Sequence, residues 1–419
     1  MKKKALIISA IASNQGKTLL SMALLHYYKD KVRPYKCGPD FIDPQFHEKI
    51  AKTPSINLDG YMMSCEQLQW LYAKYFDKDI AIVEGVMGYY DGMDKSSSAY
   101  DIAKSLDIPS LLILDAGGSY ITVSAILKGM CEFRGDNTIK AVVLNNISSL
   151  MHYELVKKHI EHELEDVKVC GWIQKGLKSL SSTHLGLDLK ELDSESIHTI
   201  SSDVLKHIDM DMLESVMDVL VPDVSGYPFE HIVKKDELCV VVNDKNFSFL
   251  YHDNIEFLKE VYKEVVFVDS TKNETIPDDA DIVILLGGYV ETTEAYDRVK
   301  NSFSFKESLI KHAKSKSIYA ECAGLIYLGK AIDDKEMSGI LPITFELTNK
   351  RERLGYYMCE LDGGIQKGHA FHYSRIVEAP KTDIKLYKVS KKTAKDGGYK
   401  QDKIFATYLH TMWRVDKPF

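Results

Sequence analysis

The stretch Ala5-Leu6-Ile7-Ile8-Ser9-Ala10-Ile11-Ala12-Ser13-Asn14-Gln15-Gly16-Lys17-Thr18 decides how the fold is read. Its first half is a short continuous apolar run, the pattern of a strand buried on both faces of a parallel sheet. Its second half is a polar loop ending in Gly-Lys-Thr, and Leu19 to Tyr28 then reads as a helix. A phosphate-binding loop belongs at such a junction. Backbone N–H groups of Asn14, Gln15 and Gly16 would cradle phosphate, Lys17 would neutralise it, and the Thr18 hydroxyl would ligate Mg²⁺. Ile11 stands where the first glycine of G-x-x-x-x-G-K-[ST] is expected. A β-branched residue resists the turn that glycine permits, so the loop is expected to open differently or to hold nucleotide less tightly. On this stretch alone, an ordinary strand-to-helix turn with a solvated lysine remains an equal alternative.

Working outward, the apolar runs Ile80–Val83, Ser110–Leu114 and Ala141–Leu144 alternate with helix-like segments such as Cys65–Tyr75. Continuous apolar strands separated by helices indicate a parallel sheet covered on both faces, so the N-terminal half is α/β. The rhythm is lost from about Leu185 to Lys235. Asp and Ser dominate 188–203, and Val221-Pro222-Asp223-Val224-Ser225-Gly226-Tyr227-Pro228 reads as turn and linker. It restarts at Leu238–Val242, Glu264–Val268, Asp281–Leu286 and Ser317–Ala320. Two domains are expected, 1–225 and 226–419.

Composition narrows the function classes. The 419 residues carry 53 Lys+Arg against 61 Asp+Glu, a net charge of −8. Such a balance argues against a general nucleic-acid binder, because it repels phosphate backbones. The seven Cys are scattered without a C-x-x-C pair, so neither a disulfide framework nor a zinc site is indicated, and reduced thiols are expected. Met1-Lys2-Lys3-Lys4 resembles the start of a signal peptide, but the apolar run after it is short and enters a polar loop instead of a cleavage site. No run approaches the roughly 18 to 20 apolar residues that span a bilayer. A soluble cytoplasmic protein is expected.

More chemistry lies in Pro34-Tyr35-Lys36-Cys37-Gly38-Pro39-Asp40-Phe41-Ile42-Asp43-Pro44 and in Ile82-Val83-Glu84-Gly85-Val86-Met87-Gly88-Tyr89-Tyr90-Asp91-Gly92. Glu84 ends an apolar strand, at the carboxyl edge where open α/β sheets bind ligands. Asp40 and Asp43 lie in a loop that could reach the same edge. Carboxylates around a triphosphate make sense only with Mg²⁺ between them, since like charges otherwise repel. Lys36 offers a second cation for phosphate or an acidic substrate. Taken singly, each acid reads as a solvated loop carboxylate. Together with Asn57-Leu58-Asp59, Leu144-Asn145-Asn146 and His184-Leu185-Gly186-Leu187, these segments resemble the cobyrinic acid a,c-diamide synthase family.

In the second half, Ile318-Tyr319-Ala320-Glu321-Cys322-Ala323-Gly324-Leu325 places a cysteine between strand and helix patterns, the setting of a nucleophile elbow. A helix N-terminus behind Cys322 is expected to lower its thiol pKa. By itself such a cysteine is more often a small buried hydrophobe. His410, in Ala406-Thr407-Tyr408-Leu409-His410, offers a base. Leu285-Leu286-Gly287-Gly288-Tyr289-Val290-Glu291 offers backbone donors. These pieces resemble a class I glutamine amidotransferase domain of the cobyrinic acid group, in which Gly288 and Ala323 N–H groups would hold the oxyanion. Most class I members place a Glu two residues after the histidine. Here that position is Met412, which leaves a Cys322/His410 dyad and an unassigned orienting group. Asp244–Phe249, Tyr251–Asn254, Leu354-Gly355-Tyr356 and Gly368-His369-Ala370-Phe371-His372-Tyr373-Ser374 continue the resemblance, which spans residues 5 to 410. Ala370 and Val290 depart from the family's usual Glu and Pro, which puts glutamine affinity in question. His369 and His372 also offer an i, i+3 pair of metal ligands.

The resemblance implies a P-loop NTPase-like (dethiobiotin synthetase-like) parallel sheet followed by a flavodoxin-like class I amidotransferase domain. It implies ATP- and glutamine-dependent amidation of tetrapyrrole carboxylates. Catalytic roles fall to Cys322, His410, Lys17 and Asp43. ATP is expected at Asn14 to Thr18 with Lys36, Mg²⁺ at Thr18, Asp40 and Glu84, and substrate at Asp40, Asp43 and Asp91. The partners are ATP, L-glutamine and a tetrapyrrole polycarboxylate: a cobalt-bearing cobyrinic acid, hydrogenobyrinic acid or nickel sirohydrochlorin. A homodimer is one allowed assembly; nucleic acid and membrane are not expected. The rival of another class is a P-loop switch ATPase with a non-catalytic C-terminal binding domain, favoured by the departures at Ile11, Val290 and Ala370.

Overall fold

The computed structural model describes residues 2–177, 182–183, 186–187, 193–361, 364–380, 384–389 and 394–417; His184 and Leu185 of the His-Leu-Gly-Leu segment lie outside them. The chain forms two compact units, Met1–Pro228 and Phe229–Phe419.

In the first unit the strands are β1 (Lys2–Ala10), β2 (Val32–Cys37), β3 (Ile56–Leu58), β4 (Ile80–Glu84), β5 (Ser110–Asp115), β6 (Ile139–Ile147) and β7 (Lys168–Gln174). They lie in the order β3-β2-β4-β1-β5-β6-β7, all parallel. Ala5 to Ile8 and Ala10 have no exposed surface, because helices cover both faces. The helices are α1 (Lys17–Tyr28), α2 (Ile42–Ala51), α3 (Cys65–Tyr75), α4 (Ala99–Leu106), α5 (Ile121–Glu132) and α6 (Leu150–Glu163). Ser64 and Ser98 start α3 and α4 with capping boxes that satisfy the first free N–H groups. The strand order reverses direction about β1, so the loops after β1, β4 and β5 open into the crevice where such sheets bind ligands.

One expectation fails between 188 and 220. The Asp- and Ser-rich stretch contains helix α7 (Ser194–Leu205), and Asp218–Leu220 (β8) adds an antiparallel strand to β1. Asp193 caps α7 by accepting the Ser196 N–H at 2.7 Å, and Ile197 and Val204, seven apart, enter the core that also holds Leu20 and Leu24. Ile200 and Leu205 pack against the same core, and the exposed serines of this helix masked its apolar face.

The second unit is built on β9 (Lys235–Val242), β10 (Tyr262–Val268), β11 (Ile282–Leu285), β12 (Ser317–Glu321), β13 (Arg353–Leu361), β14 (Gly364–His372), β15 (Ile384–Lys388), β16 (Ala394–Gln401), β17 (Ile404–Thr407) and β18 (His410–Thr411). They form one ten-stranded sheet in the order β10-β9-β11-β12-β17-β16-β15-β13-β14-β18. The five strands from β10 to β17 are parallel; the remainder is an antiparallel extension. Helix α8 (His252–Val261) and the short α9 (Ala323–Leu328) flank the parallel part. Among the described residues, no helix is long and apolar enough to cross a membrane.

Candidate functional sites

The loop after β1 turns into α1 at Gly16, whose φ of 101° is open to glycine at little cost. A Cβ there would also lie 2.8 Å from Asn145 Nδ2, which itself donates to Gln15 O at 2.9 Å. The other left-handed residue is Asn14, at φ 61°. Ile11 has no such φ, so its β-branch meets no backbone strain, and the glycine that the usual motif requires is not needed at this turn. The Lys17 ammonium donates to Ala12 O at 2.9 Å and Met87 O at 2.6 Å. Burial first, then the nearby Lys36 charge, lowers its pKa to about 8.

Glu84, at the end of β4, is almost fully buried. Its Oε1 accepts the Thr18 hydroxyl at 2.8 Å and Lys36 Nζ at 3.1 Å, and its Oε2 faces His47 Nε2 at 2.9 Å. Since a carboxylate only accepts, His47 Nε2 carries the proton, and Nδ1 is left for the Ser55 hydroxyl at 3.0 Å. Burial works against the Glu84 charge, but Lys36 and His47 outweigh it and hold the carboxyl well below its usual range. Lys36 donates to Asp43 Oδ2 at 2.5 Å and Gly85 O at 3.3 Å, with Asp40 at 3.8 Å. Burial opposes its charge, and the three carboxylates more than restore it. Lys36 is thus paired with three acids at the carboxyl edge of the sheet. Burial raises the pKa of Asp43, and the ammonium of Lys36, its ion-pair partner, works against that rise.

Several motif residues hold loops. Asn57 Nδ2 donates to Gly38 O and Asp40 O, fixing the segment that carries Asp40. Asp91 accepts the Gly88 N–H at 2.8 Å and closes the turn that presents Met87 O to Lys17. Tyr89 is buried, and Tyr90 packs on Tyr100 and Phe133, so both are packing residues. Thr18, Glu84 and Asp40 are hard oxygen donors of the type Mg²⁺ takes. Among the described residues no three His, Cys, Asp or Glu form a cage, and a Mg²⁺ held by one or two protein oxygens plus substrate phosphates needs none.

In the second unit Cys322 sits between β12 and α9 at φ 45°, ψ −99°, a strained conformation for a side-chain-bearing residue. Its N–H donates to Thr407 O at 2.7 Å, and the Gly324 N–H donates to Leu286 O at 3.2 Å. The expected lowering of its pKa is not met. Burial pushes the thiol up, helped by Glu291 and Glu321, and a six-residue helix behind it does not reverse this. The backbone N–H of Ala323 works the other way on the thiol, but more weakly than burial. Gly287 lies against His410: a Cβ would come within 2.2 Å of His410 Cε1. Gly288 has φ 149° and is backed by Asn246 O. Asn254 accepts the Trp413 N–H at 2.9 Å and donates to Thr411 O at 3.0 Å, pinning the segment after His410.

His410 Nδ1 lies 3.0 Å from Glu321 Oε2. Sequence reasoning missed this carboxylate because it adjoins the cysteine, whereas the family pattern places an acid two residues after the histidine. It also missed His47. Val290 is buried and its N–H donates to Glu291 Oε2 at 2.8 Å, a bond that the usual proline cannot make. Ala370 is a fully buried core residue. His369 and His372 are three apart on β14, where residues alternate faces, so they do not converge on a metal. His372 Nδ1 bonds Ser374 O at 2.8 Å and its Nε2 accepts from Arg353 at 3.1 Å; burial and that guanidinium keep it neutral.

Residues 239–418 match the CobB/CobQ-like glutamine amidotransferase domain. The chain is 33% identical to the cobyrinate a,c-diamide synthase of Fusobacterium nucleatum subsp. nucleatum, covering 97% of each chain. It is 33% identical to that of Streptococcus sanguinis, over 99% of this chain and 97% of the relative. Identity to that of Methanocaldococcus jannaschii is 32%, over 98% and 96%. Among solved structures, a glutamine amidotransferase from Thermotoga maritima aligns at TM-score 0.31 and 18% identity, covering 43% of this chain and 77% of that one. Near-full-length identity with these relatives makes this chain a member of the cobyrinate a,c-diamide synthase family, glutamine-dependent amidoligases of cobalamin biosynthesis.

Proposed function

We propose that the chain amidates the a and c carboxylates of cobyrinate, using ATP to activate each carboxylate and glutamine as the source of ammonia. The observation that carries this reading is the presence, in one chain, of a Lys17/Thr18/Glu84 phosphate loop and a strained Cys322 with His410. The amidoligase domain is residues 1–225 and the glutaminase domain 226–419, and the protein works in the cytoplasm.

In the glutaminase half, His410 Nε2 takes the Cys322 thiol proton as sulfur attacks the amide carbon of glutamine. N–H groups of Gly288 and Ala323 hold the oxyanion. The C–N bond breaks as His410 returns the proton to the leaving nitrogen, giving ammonia and a thioester. Water, deprotonated by His410, releases glutamate and restores the thiol. The raised thiol pKa suits this order, in which thiolate forms only with proton transfer to His410.

In the other half, a carboxylate oxygen of the substrate attacks the γ-phosphorus of ATP and ADP leaves. Ammonia then attacks the acyl carbon and phosphate departs. Asn14, Gln15, Gly16 and Lys17 bind the phosphates. Thr18 and Glu84, with Asp40, would hold Mg²⁺, which when bound supplies neutralising charge on the phosphates. Lys36 keeps Glu84, Asp43 and Asp40 from repelling the incoming polyanion, and Asp43 and Asp91 are the carboxylates that would position the substrate. The test is a mass-shift assay with ATP and glutamine on cobyrinic acid, hydrogenobyrinic acid and nickel sirohydrochlorin. Two successive amidations of cobyrinic acid are expected; ATP hydrolysis without amidation of any of the three would favour a switch ATPase.

A further inference from the structure

We infer that Glu321, the residue immediately before the nucleophile, is the positioning carboxylate of the glutaminase and completes a Cys322/His410/Glu321 triad. This rests on the glutaminase reading of Cys322 and His410. Where class I amidotransferases usually carry the carboxylate, two residues after the histidine, Met412 is buried and offers no acceptor. The chain after His410 instead brings a donor: Trp413 Nε1 donates to Glu321 Oε1 at 3.0 Å. Tyr319, two residues back on β12, donates its hydroxyl to the same oxygen at 2.8 Å. Oε1 is thus held by two uncharged donors, and Oε2 is left to His410 Nδ1 at 3.0 Å.

Two consequences follow from this division. A carboxylate cannot donate, so Nδ1 must carry the imidazole proton and Nε2 is left as the base, the tautomer that the chemistry needs. No Lys or Arg lies within ion-pair distance of Glu321 among the described residues, so its charge is not cancelled and acts on the imidazolium as it forms. The elbow makes the sequence adjacency workable. Successive side chains on a strand point to opposite faces, and the left-handed backbone at Cys322 breaks that alternation just after Glu321.

The test uses the full chain with Glu321→Gln, Glu321→Asp, Tyr319→Phe and Cys322→Ala, each with glutamine and with ammonium as nitrogen source. The amide of Glu321→Gln is able to donate to Nδ1 and trap the wrong tautomer. Its kcat with glutamine should fall by about 10² to 10⁴-fold, the upper end being the cost of the corresponding change in Ser-His-Asp enzymes. KM for glutamine should stay within about threefold and ammonia-dependent turnover within about twofold, because neither depends on the tautomer. Glu321→Asp should recover part of the loss, and Tyr319→Phe should lose about three- to tenfold in kcat, in the range of one positioning hydrogen bond. A glutamine kcat within threefold of wild type in Glu321→Gln, or equal loss with both nitrogen sources, overturns the assignment. If Cys322→Ala keeps its glutamine-dependent turnover, the glutaminase reading itself fails, an outcome distinct from a silent Glu321→Gln.

Discussion

In the N-terminal unit a buried ammonium, Lys36, sits among Asp43, Glu84 and Asp40, whereas in the C-terminal unit a buried carboxylate, Glu321, sits among the uncharged donors Tyr319 and Trp413 and the imidazole of His410. The first arrangement offsets part of the negative charge in the ground state. On the proposed function this site receives a triphosphate and a polycarboxylate, to which it would otherwise present bare carboxylates, and desolvated like charges repel strongly. The second arrangement leaves charge uncancelled but anchored. A site that takes up neutral side-chain amide chemistry needs a negative charge only when the imidazolium appears. The proposed nucleophile follows the same logic: burial pushes the Cys322 thiol pKa up, and its backbone is held in a strained conformation.

This contrast is broken most sharply by a pair of substitutions. Cys322→Ala should reduce glutamine-dependent amidation by more than about 10³-fold, since removing a nucleophile removes the whole covalent route, and leave ammonia-dependent amidation intact. Lys17→Ala should lose about 10² to 10³-fold with either nitrogen source, the scale for removing one preorganised charge-stabilising group. Steady-state rates with glutamine and with ammonium separate the two. Loss of both activities in Cys322→Ala, or normal ATP-dependent turnover in Lys17→Ala, contradicts the division of labour.

A smaller effect is expected from Gly287→Ala. The new Cβ would fall 2.2 Å from His410 Cε1, so the imidazole must move. A displacement near 1 Å costs about 10²-fold in rate, which should appear in glutaminase turnover and not in the ammonia-dependent reaction. Unchanged glutaminase activity would mean that His410 is free to relocate.

The smallest effect is a pH dependence. With its pKa lowered to about 8, Lys17 loses its charge as pH rises above that value. ATP affinity, measured by calorimetry from pH 7 to 9.5, should weaken above pH 8 by at most about tenfold per unit. Lys17→Arg, which does not deprotonate, should flatten that slope. Unfolding does not mimic the effect. An ammonium with a lowered folded pKa binds more protons when unfolded, so between pH 8 and its ordinary value this group favours the folded chain as pH rises. A flat wild-type profile would place the ammonium outside the phosphate site.

The two units were not equally legible. β1, β4, β5 and β6 of the first sheet and β9, β11 and β12 of the second were readable because burial on both faces writes an unbroken apolar run, whereas β2, interrupted by Arg33 and Lys36, the three-residue β3, and β7 were not; α3 begins and ends where its pattern does. Helix α7 was missed because its two buried apolar positions, Ile197 and Val204, are outnumbered by serines and acids, one of the serines, Ser201, itself buried. The antiparallel extension from β13 to β16 was not visible, since its half-exposed strands lack continuous runs. At the sites, motif matching found Lys17, Glu84, Cys322 and His410 as candidates. It could not see that Lys36 is paired with acids, that Cys322 is too buried for a helix terminus to lower its pKa, or that His369 and His372 face apart.

By itself the sequence determined which chemistry the chain carries. Residue type sets what a side chain donates, accepts or attacks with, and local pattern sets where strands end and loops begin. Only the tertiary structure decided which groups share a charge. Lys36 and Glu84 are 48 positions apart, and Glu321 and His410 are 89 apart. Both pairs form because parallel strands align their carboxyl ends, β2 with β4, and β12 with β17, whose end leads three residues on to His410, and deliver distant side chains to one edge. Electrostatics in a desolvated pocket depends on distance through space and on burial, neither of which spacing along the chain records.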